Sequence, residues 1–169
     1  MENKELHRIS ITGIVYRERG GGSLEYLITR RALTKKAFPG RWTVPGGGLE
    51  TDDYIGTPAN AEGQWYRAAE TALKREIREE VNLEVDNVEY LLDIAHILPG
   101  GTPSLILSFY CRYVSGEVKL DDDSIDYKWV TLDEAKNFDL IEGIYGEIEM
   151  VDKKLQPKAG PPRAGKNNN

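Results

Sequence analysis

The sequence predicts an α/β (α+β) layered domain around a mixed β-sheet. Two pairs of apolar, β-branched segments are each joined by a Gly-rich turn, a long helical pattern separates the pairs, and two shorter helical patterns close the chain. In order, residues 9–16 read as a strand through Ile9, Ile11, Ile14 and Val15, and Gly20-Gly21-Gly22-Ser23 turns the chain into a second strand at 24–29. Residues 32–41 are irregular. Trp42-Thr43-Val44 is a short strand that runs into Pro45-Gly46-Gly47-Gly48. Residues 51–64 carry Asp52, Asp53, Gly56, Pro58, Asn60 and Gly63 and read as loop. Residues 65–81 read as a helix, because Ala68, Ala69, Ala72, Leu73, Ile77 and Val81 recur at helical spacing. Asn82 is suited to the left-handed position that ends it.

Residues 88–98 and 104–114 form the second strand pair, and residues 127–130 a closing strand. Thr131 and Glu134 have the spacing of a capping box, and residues 142–155 read as a last helix. Residues 1–155 are expected to form one domain, with 156–169 a disordered tail rich in Pro, Gly, Lys and Asn.

The chain has 169 residues, 40% hydrophobic and 30% charged, with a net charge of −6. That acidity makes duplex nucleic acid and anionic membranes unsuitable partners, yet permits a phosphorylated small molecule where a bound cation reverses the local sign. No segment approaches the ~20 apolar residues of a membrane span. Cys111 is the single cysteine, lies in an apolar run and reads as a core residue. With no signal segment at Met1–Glu5, a cytoplasmic location is expected.

The most informative segment is Arg75-Glu76-Ile77-Arg78-Glu79-Glu80-Val81-Asn82-Leu83. Glu76, Glu79 and Glu80 stand at i, i+3 and i+4, so one helix face carries three carboxylates that repel one another without a cation. An oxygen-rich cluster of this kind suits a hard divalent ion such as Mg²⁺. A Glu-rich helix is also commonly a solvated face. The Gly turn upstream, which lets main chain approach a phosphate or metal closely, shifts the balance toward a metal-assisted phosphate site.

These residues resemble the Nudix hydrolase signature. Gly47 matches its first Gly, and Arg75, Glu76, Ile77, Glu79, Glu80 and Leu83 match its second half. Residues 38–47 resemble the family's entry to that motif, and residues 126–134 its closing strand and helix. The resemblance implies a Nudix-like mixed sheet sandwiched between helices. It also implies a Mg²⁺- or Mn²⁺-dependent hydrolase that cleaves a pyrophosphate linkage in a nucleoside diphosphate derivative, either a nucleoside triphosphate or ADP-ribose and related nucleotide sugars. The alternative is a non-catalytic Nudix domain that senses a nucleotide; such domains tend to lose motif carboxylates, which this chain keeps. A homodimer is compatible with either.

On this resemblance Glu79 and Glu80 are metal ligands, and Glu76 is a third ligand or a base that orients water. The Gly47 carbonyl and Asp123 complete the expected metal set. Arg75 orients a motif carboxylate, while Arg30, Gly46 and Gly47 are expected to meet substrate. Two departures stand out. Gly47 and Arg75 lie 28 positions apart, twice the separation in the signature, so an insertion is expected within residues 50–66. The signature's first Glu therefore has no clean equivalent: counting forward from Gly47 reaches Asp53, counting back from Arg75 reaches Arg67. The signature's final Gly is replaced by Asn82. Tyr54, Trp65 and Tyr66, in or beside the insertion, read as pins that hold it to the domain more readily than as a stacking platform for a base.

Overall fold

The computed structural model describes residues 6–98 and 100–156. The expected tail from residue 157 onward lies outside them. Among the described residues, seven strands form one sheet: β1 (Arg8–Arg19), β2 (Ser23–Arg31), β3 (Trp42–Thr43), β4 (Gly46–Gly48), β5 (Glu84–Ile97), β6 (Pro103–Ser115) and β7 (Ser124–Val130). Three α-helices of the described residues accompany them, α1 (Ala68–Val81), α2 (Leu132–Ala135) and α3 (Ile144–Leu155). The main path runs β3-β2-β1-β6-β5, with β7 on β2 and β4 on β1. β1 and β6 are parallel and the other pairs antiparallel, so the sheet is mixed.

The placement of β4 governs the site. β1 gives one edge to β6 along Arg8–Tyr16. Its other edge is shared: residues Tyr16–Arg19 pair with β2, while Ser10–Thr12 pair with β4. The two hairpin strands diverge, and the Gly turn fills the fork, tied further by Gly13 N–H to the Pro45 carbonyl at 2.9 Å.

Strand periodicity sorts the core onto two faces. Ile11, Val15, Leu27 and Cys111 pack against Ala72, Leu73, Ile77 and Val81 of α1. Ile14, Tyr26 and Ile28 pack against Ile144, Ile148 and Val151 of α3. Helices thus lie on both faces, as expected. Burial pushes the Cys111 thiol up to about 12, which suits a core residue and not a nucleophile.

The expected Asn82 terminus forms, with φ 57° and its N–H on the Arg78 carbonyl at 3.0 Å. The Thr131–Glu134 capping box also forms, although α2 is a single turn. The start of α1 differs from expectation, for the helix begins at Ala68 and not at residue 65. Arg67 has φ 61°, which no right-handed helix accommodates. Just before it, the Tyr66 N–H donates to Asn60 Oδ1 at 2.8 Å and Trp65 Nε1 to the Thr57 carbonyl at 3.0 Å. The apolar Trp-Tyr pair extends the helical pattern in sequence, but loop hydrogen bonds claim the Trp65 indole and the Tyr66 backbone. No helix among the described residues is long and apolar enough to cross a membrane.

Leu73 is fully buried between α1 and the sheet. Leu73→Ala is expected to lower the free energy of unfolding by about 2–5 kcal/mol, read from urea denaturation followed by circular dichroism.

Candidate active site

The helix α1 crosses behind the Gly turn and brings Arg75, Glu76 and Glu80 to it. Glu80 Oε2 accepts the Gly46 N–H at 2.9 Å. Glu76 lies so close to Gly47 that any Cβ there would overlap its carboxylate, and a Cβ at Gly46 would overlap the Ile11 carbonyl. Gly46 is therefore required by proximity to backbone, whereas at Gly47 a side chain would have to displace the Glu76 carboxylate.

Arg75 ties the arrangement together. Its Nε donates to Asp53 Oδ1 at 2.6 Å and Nη2 to Asp53 Oδ2 at 3.1 Å, a bidentate pair. Nη2 also reaches the Gly48 carbonyl at 3.1 Å. Nη1 donates to Glu76 Oε1 at 3.0 Å and Glu79 Oε2 at 2.9 Å. Asp53 is buried and accepts the Glu50 N–H at 2.8 Å. The Arg75 hydrogen bonds hold the Asp53 carboxyl below the usual carboxylate range despite its burial, and the same bond raises the pKa of Arg75. Asp53, the residue reached by counting forward from Gly47, is thus the partner of Arg75. Arg67 instead pairs with Glu70 at 2.9 Å. The signal for Asp53 was present in the sequence, and only the conflicting backward count obscured it. Between Asp53 and Ala68, Tyr54 and Trp65 pack ring on ring with centroids 5.6 Å apart.

The carboxylates differ in their electrostatics. Burial pushes the Glu80 pKa up to about 7, against the Gly46 N–H and with help from Glu76, Asp121 and Asp123. Burial likewise raises Glu76, with Arg75 opposing and Glu79 and Glu50 adding. Glu79 is largely exposed. The acidic loop before β7 faces Glu80: the Asp121 N–H donates to the Glu80 carbonyl at 3.2 Å, and Asp121 Oδ1 accepts the Asp123 N–H at 2.9 Å. Asp123 forms an ion pair with Lys35. Arg30 stands apart from the cluster, its Nε on the Gly40 carbonyl at 3.0 Å.

Among the described residues, no three acidic, His or Cys side chains converge closely enough to hold a metal ion as they stand. Glu76 and Glu79 turn toward Arg75, as like charges must when a guanidinium is the available cation. The donor chemistry nonetheless fits a hard divalent ion: all oxygen, with Glu80 raised chiefly by burial and further by neighbouring negative charge that a cation would offset.

A cavity of about 410 Å³ opens beside the Gly turn on the α3 face. Thr12, which pairs with Gly46, and Thr43 form the wall nearest the turn. Ile94, Ile106 and Ile144 make much of the rest apolar, with Arg41, Glu142 and Glu147 supplying charge. Arg41 and Glu147 escaped the sequence reading, because only the parallel β1–β6 pairing reveals what faces α3 here.

Comparison with known proteins bears on the family and the fold. The NUDIX domain profile matches residues 6–149. A nucleoside triphosphatase NudI from Klebsiella pneumoniae (strain 342) is 29% identical over 132 residues, spanning 68% of this chain and 79% of that protein. In overall fold the chain is similar to a MutT NUDIX hydrolase from Burkholderia pseudomallei, with a TM-score of 0.65 at 22% identity over 87% of this chain and 99% of that one. The NUDIX domain of Shewanella oneidensis NrtR, solved with ADP ribose, gives a TM-score of 0.68 at 16% identity, covering 90% of each chain. The chain belongs to the NUDIX family, and its class of activity is hydrolysis of the pyrophosphate linkage in nucleotide derivatives. Hydrolases of this family generally use a divalent metal.

Two outcomes are expected of the site. The pKa of Glu80 lies above the roughly 4.3 of an unfolded glutamate. The folded state therefore holds this proton more tightly, and the associated stability is complete below pH ~4.3 and lost as pH rises through about 7. In EDTA, Glu80→Gln should become more stable than wild type between pH 5 and pH 8, by on the order of 2–3 kcal/mol at the upper end, in urea denaturation. A pH-independent difference would refute the shift. Asp53→Asn removes the anionic partner of Arg75 and should cost about 1.5–3 kcal/mol of stability and about tenfold or more in turnover. Wild-type values for both would remove Asp53 from any supporting role.

Proposed function

We infer that the chain hydrolyses a phosphoanhydride of a nucleoside triphosphate with Mg²⁺ or Mn²⁺ bound at the α1–Gly turn junction. One observation carries this reading: Glu76 and Glu80 are packed directly against Gly46 and Gly47, so carboxylates and phosphate-accessible backbone share one place. The NudI relative, a nucleoside triphosphatase by name, supports triphosphates over nucleotide sugars. The ring-sized apolar cavity beside the turn supports a substrate with a base at one end and phosphates at the other.

Glu76, Glu79, Glu80, the Gly47 carbonyl and Asp123 would hold the metal. When bound, the ion offsets phosphate charge and acidifies water. Arg75 keeps Glu76 and Glu79 oriented and anchors the Gly48 carbonyl. Glu76, with its raised pKa, is suited to accept a proton from water. Backbone at Gly46 and Gly47 would accommodate the phosphate chain, with Arg30 available to an outer phosphate. Residues 1–155 would act as one unit, with an insertion within residues 50–66. A lone cysteine buried in the core suits a cytoplasmic enzyme.

Phosphate release should be measured over nucleoside triphosphates, ADP-ribose and other nucleotide sugars, with Mg²⁺ and with EDTA. Metal-dependent turnover of triphosphates is expected. Glu79→Gln and Glu80→Gln should each lower it about a hundredfold or more while the protein stays folded. Near-normal rates in folded Glu80→Gln would defeat the metal assignment, and nucleotide binding with no turnover of any substrate would favour a sensor.

A further inference from the structure

Two side-chain cations hold the carboxylates of the site, and they differ in kind. Arg75 grips Asp53, whose side chain is 1% exposed, through a bidentate pair. Its other bonds go to Glu76, Glu79 and the Gly48 carbonyl. Lys35 instead makes one ion pair, to Asp123, whose side chain is 49% exposed. Water and salt screen an exposed pair of that kind, so it opens at little cost, whereas a buried fork with several bonds does not. Lys35 is therefore the cation that can be exchanged, and Arg75 the one that stays.

Main chain keeps Lys35 beside the cluster whether or not its side-chain pair is made. The Ala32 N–H donates to the Asp123 carbonyl at 2.8 Å, and the Lys35 N–H donates to the Ala32 carbonyl at 3.2 Å. Ala32 is buried, and Arg31 beside it pairs with Ser124 of β7, so the loop after β2 and the acidic loop before β7 leave one ladder together. The acidic loop is bound in turn to α1, through the Asp121 N–H on the Glu80 carbonyl at 3.2 Å. Asp123 lies close enough to Glu80 to oppose its ionisation. Lys35 thus stands one carboxylate away from Glu80. Among the described residues, no other carboxylate forms an ion pair with it.

A divalent ion and an ammonium on the same carboxylate repel each other, so an ion that takes Asp123 releases Lys35. The released ammonium stays next to the place where phosphate arrives, and it lacks an anionic partner. A phosphate oxygen completes it with a charge-assisted hydrogen bond. We propose that Lys35 is a substrate-binding residue set free by the metal: it pairs with Asp123 until the divalent ion claims that carboxylate, then turns to a phosphate of the triphosphate. Metal binding and phosphate binding are coupled through this one side chain. The proposal rests on the metal assignment of Asp123 made under the proposed function.

The test measures Mn²⁺ binding to nucleotide-free protein by electron paramagnetic resonance, with KM and kcat for the best-cleaved triphosphate, in wild type, Lys35→Met, Lys36→Met and Glu80→Gln. Lys35→Met should bind Mn²⁺ about fivefold more tightly, the order expected when a competing half-exposed ion pair is removed. It should raise KM about tenfold with a smaller change in kcat, as loss of a charged contact to bound substrate does. Lys36 is exposed, and Lys36→Met should do neither. Lys35→Gln is a second neutral variant that should behave as Lys35→Met does. Weaker Mn²⁺ binding in folded Lys35→Met overturns the proposal, because the lysine then only props the acidic loop. Tighter Mn²⁺ binding with an unchanged KM also overturns it, because the released charge then meets no phosphate. Mn²⁺ binding that Glu80→Gln abolishes and Lys35→Met leaves unchanged sinks this proposal alone. Wild type that binds no Mn²⁺ sinks the metal assignment first, and this proposal with it.

Discussion

The geometry of the site depends on a single guanidinium. Arg75 reaches Asp53, Glu76, Glu79 and the Gly48 carbonyl, joining the 3-10 turn at Thr51–Asp53, the helix α1 and the glycine strand β4. Its planar fork is what makes this possible: one edge serves a buried carboxylate in bidentate fashion while the remaining donors point toward the helix and the turn. A lysine would supply charge at one point and leave most of these oxygens unmet. Without this cation, Asp53, Glu76, Glu79 and Glu80 would confront one another near a half-buried floor, and the turn would have no side chain holding its last carbonyl.

That junction is electrostatically expensive, and the rest of the molecule supports it. Glu80 and Glu76 are both harder to ionise in the fold than in water, chiefly because of burial. The opposing stabilisation comes from elsewhere, with one apolar cluster on each face of the sheet: α1 on Ile11, Val15 and Leu27, and α3 on Ile14, Tyr26 and Ile28. The helix that carries the anions is also the one that fills the first cluster, through Ala72, Leu73, Ile77 and Val81. Hydrophobic contact on one side of α1 therefore keeps mutually repelling groups in place on the other.

Much of this was legible from residue pattern. Periods of 2 and 3.6 located the strands and α1, the capping box at Thr131 located α2, and the Glu76/Glu79/Glu80 spacing located the carboxylate face. What escaped the sequence has specific physical causes. Trp65 and Tyr66 continue the apolar rhythm of α1, but side-chain and loop hydrogen bonds and the left-handed Arg67 end the helix before them. Asp53 and Arg67 were equal candidates by counting, and the choice is made by contact across the loop, which no linear count contains. Glu147 looks like any exposed glutamate of a terminal helix. It becomes a cavity residue only because β6 lies parallel to β1 and brings Ser108 beneath α3.

The loop from Tyr54 to Arg67 begins directly after Asp53 and ends directly before α1, so the ion pair between Asp53 and Arg75 closes it like a clasp at its base. Closing a flexible loop grows only logarithmically harder with its length, at about 0.6 kcal/mol for each doubling. The segment can therefore lengthen, shorten or change composition over evolutionary time with little thermodynamic consequence, while the clasp keeps the reacting groups in register. The fold thus separates the reacting groups from an interchangeable outer surface, and new substrate preferences can be sampled there without rebuilding the machinery beneath.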